Sequence, residues 1–123
     1  MTDLKISRLN SYFDRRIAEC RQRSTDLIGE ERRDEADIEK VRANVYDIFR
    51  TVLSAGVRAC GGEEDKLRSF FEQKCEQIPS NWLASRDKAA RHGDELKVGI
   101  EQIKLDAIAE IKLSFARIWE EEQ

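Results

Sequence analysis

The chain has 123 residues, 22 of them Lys or Arg and 25 Asp or Glu, so 38% of it is charged against roughly 25% in ordinary globular domains. The net charge is nevertheless only −3, and charge so closely balanced does not draw a chain in bulk to DNA or anionic lipid. One Pro and six Gly beside abundant Glu, Lys, Arg, Ala, Leu and Ile point to long helices in a single domain, with too little chain for two cores.

No apolar run reaches the ~18 residues of a membrane span, and the start, Met1 to Lys5, lacks a secretory apolar region. No membrane contact and a cytoplasmic location are therefore expected. Cys20, Cys60 and Cys75 are odd in number and have neither C-x-x-C spacing nor a histidine cluster beside them. They read as small buried hydrophobes in a reducing compartment, without disulfides and without a structural zinc site.

In the first segment Ile6, Leu9, Phe13, Ile17, Cys20, Leu27 and Ile28 recur at helical spacing and predict an amphipathic helix over 3–29. Thr2 or Asp3 is placed to cap it, and Gly29 offers the left-handed residue that ends it. Asp34 opens a second helix over 34–60, with Glu35 and Asp37 in the acid-favouring first turns. Its predicted core stripe is Ile38, Val41, Val45, Ile48, Phe49 and Val52, flanked by a second line of Tyr46, Leu53, Val57 and Cys60; Gly61 and Gly62 stop it.

A shorter third helix is predicted over 63–78 on Leu67, Phe70, Phe71, Cys75 and Ile78, ended by Pro79. The fourth spans 81–120, with a break at 92–94 left open: Gly93 can serve as a C′ residue and Asp94 as a new N-cap, but one Gly costs an unbroken helix only ~1 kcal/mol. At ~1.5 Å per residue the long helices reach about 35–40 Å, and similar lengths joined by short loops favour antiparallel packing. The expected fold is an all-α, up-down antiparallel bundle of four helices with a long C-terminal helix.

That last helix carries two apolar lines: Leu96, Ile100, Ile103, Ala107, Ile111 and Ile118, then Leu105, Ile108, Phe115 and Trp119 about 100° round the wheel. Either it lies centrally and touches several neighbours, or one line meets another molecule. Mixed charges at Lys97, Glu101, Lys104 and Lys112 favour an interface seam. A homodimer is expected through Leu105, Ile108, Phe115 and Trp119, joined by Tyr46 and Leu53 of the second helix. Glu120, Glu121 and Glu122 sit where a helix dipole disfavours anions, as a solvated end or against a basic partner surface.

Chemistry is sparse. His92 is the only histidine, so neither a His-based acid–base pair nor a multi-histidine metal site can form in one chain. Ala89 stands where the Glu-x-x-His pattern of di-metal bundles needs its Glu. The predicted inward arcs hold almost no carboxylate, and Ser24 and Ser114 read as hydroxyls bonded back to their own helix. There is no phosphate loop, nucleophile elbow or Cys–His pairing. No cofactor, no metal and no catalysis are expected.

Charge is uneven along the chain. Residues 1–33 hold eight basic and six acidic side chains, residues 34–65 four and eight. Arg8, Arg15, Arg16 and Arg23 form a candidate electrostatic contact, either with nucleic acid or with an acidic protein surface such as the Asp34–Glu39 stretch of a second copy. Asp14, Glu19 and Asp26 dilute this face and it has no aromatic platform beyond Tyr12, so nucleic acid is the weaker alternative. A non-enzymatic bundle acting through protein contact is the leading functional expectation.

Overall fold

The structure, a computed structural model, describes residues 2–121. Four helices follow one another: α1 (Thr2–Gly29), α2 (Arg33–Cys60), α3 (Glu64–Arg91) and α4 (Glu95–Glu120). The first three have 28 residues each and the last 26, so all four are about 40 Å long and lie alongside one another end to end. Cross-links fix the directions. Arg50 bonds Asp14 while Ser24 bonds Ala36, which makes α1 and α2 antiparallel. Glu120 meets Arg68 while Gln102 meets Arg86, which does the same for α3 and α4. Lys5 reaches Trp119 and Tyr12 reaches Glu110, so the bundle closes with α1 antiparallel to α4. The all-α, up-down four-helix bundle is the observed fold.

The boundaries differ from expectation in one place. The third helix does not stop at Pro79 but runs through it to Arg91, and residues 80–91 belong to α3. An internal proline costs a helix about 3 kcal/mol. Here Pro79 itself is buried, and beyond it Trp82 packs against the core and Ala89 is buried. The chain reverses instead at His92–Gly93–Asp94. Gly93 has φ +73°, Asp94 N donates to Ala89 O and Gly93 N to Ala90 O, and the Asp94 side chain accepts from Lys97 N. That is a Schellman ending followed at once by an N-cap.

The first reversal uses the same hydrogen bonds with a different residue. Arg32 N donates to Leu27 O and Glu31 N to Ile28 O, and the left-handed position falls on Glu31 (φ 63°), not on Gly29. Thr2 and Asp3 lie inside α1, and the Thr2 hydroxyl, expected as a cap, donates to Glu64 of α3.

In α2 the inward face is rotated from the predicted stripe. Ala36, Glu39, Ala43, Val45, Tyr46, Phe49, Leu53 and Gly56 are buried, whereas Ile48 is exposed and Ile38, Val41 and Val52 are only half-buried. The seam takes Val45 and Phe49 from the predicted stripe and Tyr46 and Leu53 from the line read as flanking. Gly56 permits a close approach there, since a Cβ at that position would lie 2.7 Å from Phe70 Cδ1 and 2.9 Å from Leu67 Cδ1. Rings from all four helices link the core: Phe71 stacks on Phe115 at 4.4 Å and Phe115 on Trp119 at 5.1 Å, with Phe13 and Phe49 tilted against Phe71.

Candidate interaction surface

Of the six residues expected to form an interface, five face inward. Ile108, Phe115, Trp119, Tyr46 and Leu53 are all buried in the chain's own core, and only Leu105 is half-buried at the surface. The reason is the placement of α4, which packs against α3, against α1 and, across the bundle diagonal, against α2. These neighbours bury both apolar lines from Ala107 to Trp119, whereas Ile100, Ile103 and Leu105 are half-buried and Leu96, expected on the first line, is 78% exposed.

The arginines likewise find acids within the chain. Arg8 Nη1 bonds Glu121 at 2.6 Å. Arg23 approaches the buried Glu39 carboxylate at 3.8 Å, which Arg42 holds at 2.6 Å. Arg16 bridges Glu19 at 3.2 Å and Glu110 at 3.1 Å, donates to the Tyr46 hydroxyl and lies over the Tyr46 ring. Arg15 is exposed, reaching Glu19 at 4.0 Å and covering the Tyr12 ring. The basic partner of the acidic end is thus the chain itself: Glu121 pairs with Arg8 and Glu120 with Arg68. Glu122 lies outside the described residues.

Burial sets the chemistry of the inner polar groups. It pushes the Tyr46 phenol well above its ordinary range, against the opposing hydrogen bond from Arg16. It raises Tyr12 too, whose hydroxyl donates to Glu110 at 3.2 Å beside Ser114. The Cys75 thiol is pushed up to about 12 and Cys20 is raised, both first by burial, so these thiols stay protonated and poorly nucleophilic at neutral pH. All three cysteines are free.

Two carboxylates that helical spacing had not placed inward are buried, Glu39 and Glu101. Each is held by a cation three residues on, Arg42 or Lys104, although Glu101 Oε2 has no hydrogen-bond partner. Ser24 also departs from expectation: its hydroxyl leaves its own helix and donates to Ala36 O of α2 at 3.1 Å. Among the described residues no group of three His, Cys, Asp or Glu side chains gathers to hold a metal ion. Nor, among them, is any helix long and apolar enough to cross a membrane.

Large apolar side chains are exposed at Leu4, Ile28, Ile48, Leu83, Leu96 and Leu113, and two of these, Leu83 and Leu113, flank an apolar relief along the middle of α4. Leu113 stands 74% exposed on the outer side of α4. Beside it, Pro79, Leu83, Leu105, Ile108 and Ala109 line a trough of about 410 Å³ between α3 and α4, in which Leu83 is 44% exposed. On the other side of Leu113 a groove of about 640 Å³ separates α1 from α4, with Arg15, Arg16 and Arg117 set against Glu19 and Glu110. Neither Leu113 nor Leu83 belongs to an apolar line of the sequence. That was their signal, because a leucine outside every stripe of an amphipathic helix has to face outward.

No family model, curated protein or solved structure matches the chain.

Proposed function

We propose that the chain is a non-enzymatic, cytoplasmic helical-bundle protein that works by protein–protein contact and associates with itself through α4. The observation that carries this reading is the pairing, on one face, of a protruding Leu113 with an apolar trough that includes Leu83 and Leu105. Exposed leucines scattered singly need no explanation, but a knob beside a hole of matching chemistry is what self-recognition uses. Free thiols at Cys20, Cys60 and Cys75 fit a reducing compartment. The arginines Arg8, Arg16 and Arg23 are engaged by Glu121, Glu110 and Glu39, which favours a protein contact over phosphate tracking by α1. Sedimentation velocity across a concentration series tests the reading. A mass rising toward twice 14.3 kDa is expected, and a monomer persisting at millimolar concentration overturns it.

A further inference from the structure

The seam between α1 and α4 is the loosest in the bundle. These two helices pack together less than any other neighbouring pair, and less than α2 and α4 do across the diagonal. The space left between them is the groove of about 640 Å³, a volume in the range of small-molecule sites. Its floor is polar, although Phe13, Phe49 and Ile111 fill the bundle interior at the same level. Tyr12 and Ser114 are buried residues of the lining, and the Tyr12 hydroxyl donates to Glu110 at 3.2 Å. Arg16 ties this floor to the core, bonded to Glu19 and Glu110 on one side and to the Tyr46 hydroxyl on the other. Apolar side chains would close such a seam at no cost in desolvation, so a polar network kept here calls for a reason beyond packing.

Charge in the groove does not balance. Glu19 and Glu110 hold Arg16 at 3.2 and 3.1 Å. Arg15, on the α1 wall, has only a 4.0 Å approach to the same Glu19 and the face of the Tyr12 ring. Arg117, on the α4 wall, bonds none of the described residues. Three guanidiniums against two carboxylates leave one positive charge in excess. We propose that the α1–α4 groove binds a small oxyanion, a carboxylate or phosphate group, between Arg15 and Arg117 and over the Tyr12 and Ser114 hydroxyls. Each guanidinium presents a planar fork of donors that matches two oxygens of such a group, and the two forks close on it from opposite walls. One negative charge cancels the excess. Glu19 and Glu110 repel further negative charge, so the groove selects a single small anion over a polyanion such as nucleic acid.

Nuclear magnetic resonance of the isotope-labelled chain tests this, read at the arginine Nε–H and backbone amide signals. Sodium acetate and inorganic phosphate are titrated separately slightly below neutral pH, with sodium chloride holding the ionic strength constant. Saturable shifts are expected at Arg15, Arg117 and Ser114 with a Kd of about 1 mM or tighter, and the tighter anion names the group. Arg91, exposed on α3 and bonded to none of the described residues, stays unmoved. The double variant Arg15→Gln/Arg117→Gln binds at least about tenfold more weakly with unchanged circular dichroism, because both side chains are exposed; Arg91→Gln binds as wild type does. Shifts that never saturate and are as large at Arg91 as in the groove mean an adventitious ion only and overturn the site. Saturable binding that survives the double variant overturns it equally. Sedimentation reads self-association separately, and either result stands without the other.

Discussion

The Tyr46 hydroxyl has no route to water. The residue is 1% exposed, Arg16 Nε and Nη2 donate to its oxygen from 3.3 and 3.2 Å, and the Tyr12 ring stands edge-on at 6.1 Å. Ionising it in place would put an anion where desolvation outweighs the help of Arg16, and Tyr12 is disfavoured in the same way by burial and Glu110. The sign of the linkage follows. A phenol whose folded-state pKa is raised contributes stability that is fully present below its unfolded value of about 10 and is lost as pH rises beyond it. In an alkaline titration, phenolate absorbance at 295 nm should therefore lag past pH ~10 and appear together with loss of the helical signal. Two phenols ionising near pH ~10 with the helices intact would show that the pair is not sealed in this way. Helical spacing placed Tyr46 on an apolar line correctly, but the hydroxyl's partner was invisible, because Arg16 lies 30 residues away on another helix.

At the scale of elements, α1 and α2 are nearly complete in the sequence because their endings, Gly61–Gly62 and the polar turn after Gly29, are local chemistry, and α4 starts at the break that His92–Gly93–Asp94 left open. The third helix was cut short at Pro79, since the local rule against proline is sound and only tertiary packing, with Pro79 and Ala89 buried and Trp82 against the core, overrides it. The seam of α2 was misplaced for a related reason. Ala36, Glu39, Ala43 and Gly56 occupy it, and small or charged residues do not register as core although, with Tyr46, Phe49 and Leu53 between them, they recur at steps of three and four. The α1–α2 turn yields a prediction at this scale. Glu31 sits at φ 63° as the C′ residue of a Schellman ending, a position where an L side chain costs about 1–2 kcal/mol and glycine costs little. Glu31→Gly should stabilise the protein by about 1 kcal/mol, seen as a higher urea midpoint with an unchanged slope. A lower midpoint would mean that the carboxylate does more for the turn than its backbone strain takes away.

For the whole molecule, the informative place is the end where the bundle closes. The expected interface failed as a site because it was judged on one helix's circumference, whereas α4 meets three neighbours that a single stripe cannot foresee. The same closure explains the acidic end. Lys5 of α1 donates to Trp119 O at the C-terminus of α4, pairs with Glu64 at the start of α3 at 3.0 Å, and lies 5.3 Å from the centre of the Trp119 ring. One partly buried ammonium thus ties three helices, answers the negative end of the α4 dipole and caps a carbonyl. Lys5→Ala should lower unfolding free energy by about 1–2 kcal/mol, more than a surface ion pair returns. It should also change the acid limb. Lys5, with Thr2, holds the Glu64 carboxyl below the usual carboxylate range, so Glu64 contributes stability above that range which is lost as pH falls through its depressed value. In Lys5→Ala the larger part of that contribution is already missing, and the variant and wild type should draw together toward low pH. Urea melts at neutral and acid pH decide the matter: a deficit that stays constant with pH would mean that Lys5 acts through Trp119 alone.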